Sequence, residues 1–317
     1  MNVLVTGSFG NVGSHLLPEL LREGHRVRCL DLDGADRRRV ARGLGGRIEV
    51  LWGDVRDASL LDRATDGVEA VVHLAARIPP GSEEAPEEAR AVNVGGTAAL
   101  LAACRARTAP PRLLFTSTFD VHGRTQDRPP PRRAGDPLAA TDGYTAAKIE
   151  AEALVQGSGL PWCILRLTDV PVLGVRDPHP IMFEIGLHNR IESLHADDAA
   201  TALARALRTP AVWGRILMVG GGPSCQLTYG EYLARLLAAM GVEMLPAEAF
   251  AAADYVTDWV DSDEAERLLA YRRRGFDRIA ADVAAAQGWR RRVAPLAGPL
   301  VQRSLLALSR PWRERRG

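Results

Sequence analysis

Two side chains in this sequence, a phenol and an ammonium, are spaced so that a helix would bring them together. Tyr144 and Lys148 are four residues apart, and residues four apart lie on one face of an α-helix. A free phenol has a pKa of about 10, so proton transfer at neutral pH requires that the pKa be lowered by about 3 units, or about 4 kcal/mol. A neighbouring ammonium favours phenolate. The pair is a candidate proton-transfer site, and a solvated surface pair is the alternative.

The first residues of the chain predict an element that would place a cofactor beside this pair. Residues 2–6 form a short apolar run, and a helical pattern of leucines begins after residue 13. In the glycine-rich loop between them, the first glycine permits a tight turn, the second admits a pyrophosphate, and the third lets helix pack on strand. We assign five loop residues to a dinucleotide site: Gly7, Gly10, Asn11, Val12 and Gly13.

A second predicted strand, residues 26–31, ends at Asp31, about 20 residues beyond the glycine loop. A carboxylate at this position accepts hydrogen bonds from the ribose diol of adenosine and repels a ribose phosphate. The sequence therefore predicts NAD as the cofactor in preference to NADP. The run Arg37-Arg38-Arg39 lies just downstream, and we interpret it as an exposed basic start of a helix rather than a phosphate site.

Four further segments follow in a fixed order, and they complete a family pattern. They are Gly53-Asp54-Val55-Arg56-Asp57, His73-Leu74-Ala75-Ala76, Val92-Asn93-Val94 and the stretch 114–123. With the glycine loop and the tyrosine–lysine pair, they make the sequence resemble the extended short-chain dehydrogenase/reductase family, in particular its NAD-dependent epimerase/dehydratase branch. The resemblance extends from Met1 to about residue 287.

The resemblance implies the rest of a cofactor site. In the family, a turn after the third strand contacts adenine, a segment after the fourth strand lies along the cofactor, and helix four carries an asparagine. The residues at these positions are Asp54, Val55, Leu74, Ala75, Ala76 and Asn93, and Thr168 is assigned to the cofactor with them.

The resemblance also implies three catalytic residues. Thr118, five residues before Gly123, takes the position of the family's catalytic hydroxyl, and Tyr144 and Lys148 take those of its tyrosine and lysine. Tyr144 is expected to exchange a proton with the substrate oxygen, and Thr118 to hydrogen-bond that oxygen. Lys148 is expected to bind the nicotinamide ribose and lower the pKa of Tyr144. Tyr144 and Lys148 are therefore assigned to cofactor binding as well as to catalysis.

Several positions depart from the family pattern. Asp169 stands where the sugar-nucleotide epimerases carry an asparagine, and a carboxylate only accepts hydrogen bonds and repels a diphosphate. The insertion from Asp169 to His195 is short, which predicts a small substrate lobe. His122 stands where the family usually has a tyrosine, and the sequence does not decide whether it lines the site.

We expect a hydride transfer between nicotinamide and a carbon of a small substrate that bears a hydroxyl or carbonyl group. Two alternatives stay open. A nucleotide-sugar epimerase or dehydratase would use the same three residues with tightly bound NAD, and a non-catalytic NAD-binding protein would need only the glycine loop.

The alternation of apolar runs and helical stretches predicts an α/β fold with a doubly wound parallel sheet and a small C-terminal substrate-binding lobe. Strands are predicted at 2–6, 26–31, 47–52, 69–75, 111–117, 162–167 and 215–219, and helices near 11–23, 57–66, 84–107 and 142–157. We assign 1–167 with 196–220 to the Rossmann domain, 168–195 with 221–288 to the substrate lobe, and 289–317 to a basic amphipathic tail. The loop 168–195 is expected to cover the nicotinamide end.

Composition excludes several classes of function. The net charge of +1 offers no field for nucleic acid, and no apolar run reaches the length of a transmembrane span. Because the first strand begins at Asn2, we expect no secretory signal, and the scattered cysteines indicate reduced core thiols in a cytoplasmic protein without a metal site. The resemblance implies a homodimer, because the family commonly forms dimers through helices such as those predicted at 84–107 and 142–157. For the tail, docking on its own domain is favoured over a membrane surface or a partner subunit.

Overall fold

A seven-stranded parallel sheet forms the centre of the molecule in a computed structural model that describes residues 1–174, 178–289 and 298–315. The strands follow the order β3-β2-β1-β4-β5-β6-β8, so the prediction of a doubly wound parallel sheet is confirmed. The strands of this sheet are β1 (Asn2–Thr6), β2 (Arg26–Asp31), β3 (Ile48–Trp52), β4 (Ala70–His73), β5 (Arg112–Thr118), β6 (Trp162–Leu167) and β8 (Arg215–Val219). A separate antiparallel pair joins β7 (Arg190–Glu192) to β9 (Gln226–Thr228).

Helices cover both faces of the sheet. They are α1 (Asn11–Arg22), α2 (Ala35–Leu44), α3 (Ala58–Thr65), α4 (Gly81–Glu84), α5 (Pro86–Arg90), α6 (Thr97–Arg105), α7 (Gly143–Gln156), α8 (Ala196–Ala206), α9 (Tyr229–Ala239), α10 (Asp263–Leu269), α11 (Phe276–Gln287), α12 (Gly298–Leu308) and α13 (Arg310–Glu314). The stretch predicted as one helix over 84–107 consists of α5, a π-helical turn at Ala91–Gly96, and α6.

Two apolar clusters hold the helices against the sheet. On one face, leucines of α1 and alanines of α8 pack against β1 and β6, and on the other, α3, α6 and α7 pack against β4 and β5. Leu16, Leu17 and Leu20 of α1 are fully buried. Each fully buried leucine contributes about 1.5–3 kcal/mol to folding. This packing fixes α1, and therefore the glycine loop that precedes it, at the carboxyl end of β1.

A third cluster forms the core of a lobe beside the sheet. It contains residues of β7 and α9, and α12 packs on it through Leu305. Helix α10 lies within the range assigned to the substrate lobe, yet Ala265 and Leu269 pack in the sheet core. The assigned boundaries stay a prediction.

The cysteines agree with the expectation of core thiols. Cys29, Cys104, Cys163 and Cys225 are all free and buried. Among the described residues, no cluster of histidine, cysteine or carboxylate side chains could hold a metal ion. Within the same part of the chain, no helix has the length and hydropathy needed to cross a membrane.

A buried ion pair ties helix α7 to strand β6. The Arg166 guanidinium donates from Nε to Glu152 Oε1 (2.9 Å) and from Nη2 to Glu152 Oε2 (2.7 Å). The two side chains are only 2% and 1% exposed. His122 is also buried here, with Nε2 3.2 Å from Arg166 Nη1, so it belongs to this network rather than to a cavity wall.

Replacement of Arg166 by Met is expected to lower the free energy of unfolding by about 3–5 kcal/mol, because it leaves the Glu152 carboxylate buried without its partner. Urea denaturation measures this quantity. The control is Arg39→Met, since Arg39 is exposed and its ion pair with Asp36 is a surface pair, for which a change within about 0.5 kcal/mol is expected. Equal stability of the two variants would contradict the assignment.

Candidate functional site

A cavity of about 380 Å³ lies at the carboxyl ends of β1 to β4. In open α/β sheets this edge is where ligands bind. Eight of the residues predicted to bind the cofactor line it, namely Gly7, Gly10, Asp31, Asp54, Val55, Leu74, Ala75 and Ala76. The sequence analysis did not assign Arg37, Arg56, Arg77 or Glu88, which also line the cavity. Two of them belong to segments noted in the sequence: Arg37 to the basic run interpreted as an exposed start of a helix, and Arg56 to the segment 53–57.

The glycines of the loop have different physical roles. Gly7 adopts φ +67°, and a Cβ there would lie 2.8 Å from the amide nitrogen of Ala75. A Cβ on Gly13 would lie 2.5 Å from the carbonyl oxygens of Gly7 and Ser8, so this position must be free of a side chain for α1 to pack. A Cβ on Gly10 would meet only the carbonyl oxygen of Gly7, at 3.4 Å. The space beside Gly10 is therefore open, as an approaching pyrophosphate requires.

Asp31 is held firmly at the end of β2. Its carboxylate accepts hydrogen bonds from the backbone N–H of Phe9 (2.7 Å) and Leu32 (2.8 Å). Nε of Arg37 lies 3.1 Å from Asp31 Oδ1. Burial raises the pKa of the Asp31 carboxyl, while Phe9 and Arg37 act in the opposite direction. The carboxylate lines the cavity at the place where, in a Rossmann fold, it would accept hydrogen bonds from a ribose diol.

Replacement of Asp31 by Ser is expected to lower the preference for NAD over NADP by about tenfold or more. The change removes the negative charge and leaves the Arg37 guanidinium available to a ribose phosphate, through a charge-assisted hydrogen bond. Dissociation constants for both dinucleotides measure the ratio. The control is Asp33→Ser, because Asp33 pairs with Arg38 outside the cavity. An unchanged ratio in Asp31→Ser would contradict the role of Asp31.

Seven predicted cofactor residues do not line this cavity, and three of them, Tyr144, Lys148 and Thr168, lie further along the sheet edge and are described below. Asn11 donates from Nδ2 to the carbonyl oxygen of Val170 (2.8 Å), Val12 packs against the sheet core, and Gly13 packs on the loop. Asn93 accepts from the backbone N–H of Arg77 (2.7 Å) and donates to its carbonyl oxygen (2.9 Å). In this structure Asn11 and Asn93 support the walls of the site, and their contact with a cofactor stays a prediction.

The three predicted catalytic residues come from neighbouring elements. Thr118 is the last residue of β5, and a capping box begins α7, in which Asp142 Oδ1 accepts from the backbone N–H of Thr145 (2.7 Å). This cap places Tyr144 in the first turn and Lys148 one turn later. The Lys148 ammonium is buried, donates to the carbonyl oxygen of Thr116 (2.9 Å), and lies 5.9 Å from the centre of the Tyr144 ring.

The expected lowering of the Tyr144 pKa is not found in this geometry. Burial raises the pKa of the phenol, and the charges of Asp120 and Asp142 raise it further. Burial also lowers the pKa of Lys148 to about 8. The expectation was wrong because the spacing placed the ammonium near the phenol but gave no information on burial or on the two carboxylates. The phenol form of Tyr144 is favoured.

A second cavity of about 610 Å³ lies next to Thr118. Thr118, Asp120 and Thr168 form part of its lining, and the Thr168 hydroxyl has no hydrogen-bond partner within the described residues. Tyr144 is not among the lining residues, although the charge of Asp120 acts on it. The loop 168–195 contributes residues from 168–174 and from 178–191 to the lining, and its role as a cover for the nicotinamide stays a prediction. Thr168, which was assigned to the cofactor, lines this cavity and not the first one, and its contact with a cofactor stays a prediction.

Sequence reasoning did not find Asp120. It lies two residues after Thr118, lines the second cavity, and has a pKa raised to about 7, chiefly by burial. The carboxylates of Asp169 and Asp142 contribute to this increase. Its position in the sequence, two residues after the predicted catalytic Thr118, could have marked this carboxyl group as a candidate site residue.

The profile of the NAD dependent epimerase/dehydratase family matches residues 3–220, and the chain belongs to that family. Among solved structures, a double mutant of the dTDP-glucose 4,6-dehydratase DesIV from Streptomyces venezuelae, with NAD and DAU bound, is similar with a TM-score of 0.78 and 25% identity, over 93% of this chain and 98% of the other. The UDP-glucose-4-epimerase from Stenotrophomonas maltophila, with bound NAD and formylated UDP-arabinopyranose, is similar with a TM-score of 0.73 and 25% identity, over 94% of this chain and all (100%) of the other.

Two curated proteins are similar over shorter ranges. A 3 beta-hydroxysteroid dehydrogenase/Delta 5-->4-isomerase of Mycobacterium tuberculosis (strain CDC 1551 / Oshkosh) is 34% identical over 206 residues, which are 61% of this chain and 53% of that protein. A UDP-glucose 4-epimerase of Azospirillum brasilense is 32% identical over 160 residues, 50% of this chain and 44% of that protein. The chain thus spans about half the length of these relatives.

Proposed function

We propose that the protein is an NAD-dependent oxidoreductase that interconverts a secondary alcohol and a ketone. The observation that carries the proposal is a pair of cavities: Thr118 lines the larger one, and Lys148 donates to the carbonyl oxygen of Thr116 on the same strand. One is a cavity with a glycine loop and Asp31 that fits an adenine dinucleotide, and the other is large enough for a small-molecule substrate. The similarity to proteins solved with NAD bound supports the same cofactor.

The residues of this chain divide the chemistry among them. Bound NAD would supply the acceptor or donor of the hydride at the substrate carbon. Tyr144, whose phenol form is favoured by burial, would donate its proton to a ketone oxygen and become a phenolate. In the reverse direction, the phenolate form would take the proton from an alcohol. Thr118 would hydrogen-bond the same oxygen and fix its position. Lys148 would bind the nicotinamide ribose and compensate the charge on the phenolate.

The experiment is to measure NADH formation by the purified protein with a panel of secondary alcohols, and NADH consumption with the matching ketones. Mass spectrometry of the protein as purified shows whether a dinucleotide stays bound. Net formation of NADH would support the proposal. Stoichiometric bound NAD with no net change in NADH would instead favour the epimerase or dehydratase alternative, and no turnover with any substrate would favour the non-catalytic alternative.

The assembly and location of the protein are part of the proposal. We propose a homodimer through the helical segments 84–107 and 142–157, and a cytoplasmic location, which the four free cysteines support. Light scattering measures the dimer directly. We also propose that the chain divides into the Rossmann domain, the substrate lobe and the basic tail at the boundaries assigned from the sequence.

A further inference from the structure

The cavity next to Thr118 is apolar over most of its wall. Its lining includes the apolar side chains of Ile191, Leu233, Leu236, Val283, Val301 and Leu305. Ligand sites of this kind usually have an apolar wall with a few polar groups that fix orientation. Here Thr118, Asp120 and Thr168 belong to the reactive end, where the substrate oxygen would lie.

From this cavity we infer that the substrate is an uncharged alcohol or ketone with a large hydrocarbon body, and that helix α12 near the C-terminus forms part of the wall that binds this body. The inference rests on the proposed function, because it uses the same reactive end. It concerns the substrate class, which the proposed function leaves open.

The charges in the cavity act against a nucleotide sugar. Asp120 and Asp169 line it, and both are carboxyl groups. The described lining contains no lysine or arginine, while positions 175–177, including Arg176, lie outside the described residues. A diphosphate would therefore meet a largely apolar wall without a described lysine or arginine, where recognition of phosphate requires cations. An uncharged ligand needs no such cations.

Helix α12 is attached to the lobe so that it can serve as a wall. Val301, Ser304 and Leu305 of this helix line the cavity. The hydroxyl of Ser309, which is fully buried, donates to the carbonyl oxygen of Ala249 (2.6 Å) and accepts from the backbone N–H of Trp312 (3.1 Å). The tail thus docks on its own chain through its apolar face, and in doing so it supplies apolar surface to the cavity.

Two neighbouring leucines of α12 provide a matched test. Leu305 is 8% exposed and lines the cavity, whereas Leu306 is partly buried, packs on the same core cluster, and is not among the lining residues. Truncation of either one removes the same atoms from the same helix. Only Leu305→Ala is expected to remove contact with the ligand.

The experiment measures dissociation constants for pregnenolone, cyclohexanol and UDP-glucose with the full chain in the presence of NAD, by equilibrium dialysis or calorimetry. We expect pregnenolone to bind at least tenfold more tightly than the other two. Leu305→Ala is expected to weaken pregnenolone binding by about tenfold or more, since burial of several methyl and methylene groups is lost. Leu306→Ala is expected to leave it within about twofold. Val301→Ala gives the same test if Leu305→Ala does not fold, and the affinity for NAD reports folding in each variant.

Tighter binding of UDP-glucose than of pregnenolone would overturn the inference, and so would equal effects of Leu305→Ala and Leu306→Ala. Failure of the proposed function has a different signature. In that case pregnenolone binds and responds to Leu305→Ala, but no hydride transfer is detected with it or with any other alcohol.

Discussion

Replacement of Tyr144 by Phe is expected to reduce the turnover number by about 10²-fold or more, because the substrate oxygen loses its proton donor and acceptor. The ring stays in place, so packing in the first turn of α7 is kept. The affinity for NADH, measured by fluorescence, is expected to stay unchanged, since Tyr144 does not line the cavity at the carboxyl ends of β1 to β4. Initial rates at saturating substrate measure the loss.

The matched control is Tyr271→Phe. The Tyr271 hydroxyl is fully buried and donates to the carbonyl oxygen of Gly220 (2.7 Å), in the core and away from both cavities. The same hydroxyl accepts from the backbone N–H of Gly220 (3.1 Å), so Tyr271→Phe is expected to cost about 1–3 kcal/mol of stability without a comparable loss of turnover. If Tyr144→Phe retained near-normal turnover while folded, the proposed proton transfer through Tyr144 would be wrong.

The pKa values of the site bear on which form of Tyr144 transfers the proton, which the spacing of Tyr144 and Lys148 does not determine. The Lys148 ammonium contacts the Thr116 carbonyl oxygen, and its own pKa is lowered to about 8 by burial. Because a pKa of about 8 lies above neutral pH, the ammonium stays mostly charged, and part of its hydrogen-bonding capacity is used by the Thr116 carbonyl oxygen. Asp120 and Asp142 act on Tyr144 in the opposite sense, because nearby negative charge disfavours phenolate. Proton transfer to a ketone needs only the phenol form.

The sheet was predictable because its strands are local apolar runs bounded by turns. The predicted range 26–31 is that of β2, and 47–52 differs from β3 by one residue at its start. The glycine loop was predictable for the same reason, since the roles of Gly7 and Gly13 depend on backbone geometry within a few residues. Capping also acts locally, since the box formed by Thr228 and Glu231 at the start of α9 joins residues only three positions apart.

The wall of the cavity next to Thr118 was not predictable from local patterns. Leu236 lines the cavity and Leu237 is buried in the lobe core, yet the two are adjacent on α9 and equally apolar. Helical periodicity identifies an apolar face but does not tell whether that face meets other side chains or a ligand. The contribution of α12 was missed for this reason, because contact between the tail and the lobe joins segments far apart in sequence.

Replacement of Gly13 by Ala is expected to weaken NAD binding by about 10²-fold and to lower the free energy of unfolding by about 3 kcal/mol. The physical reason is that a Cβ at this position would lie 2.5 Å from two backbone oxygens of the loop, which forces α1 away from β1. Calorimetric titration with NAD and urea denaturation of the free protein measure the two effects separately.

Gly10→Ala separates cofactor contact from loop packing. Gly10 has φ −74°, an ordinary value for alanine, and its Cβ would have only one neighbour, at 3.4 Å. The added methyl group would lie where the backbone must approach the pyrophosphate, so NAD affinity is expected to fall by about tenfold while the free energy of unfolding stays within about 0.5 kcal/mol. Unchanged NAD affinity in both glycine variants would mean that the loop does not bind the cofactor, and the assignment of the first cavity would fail with it.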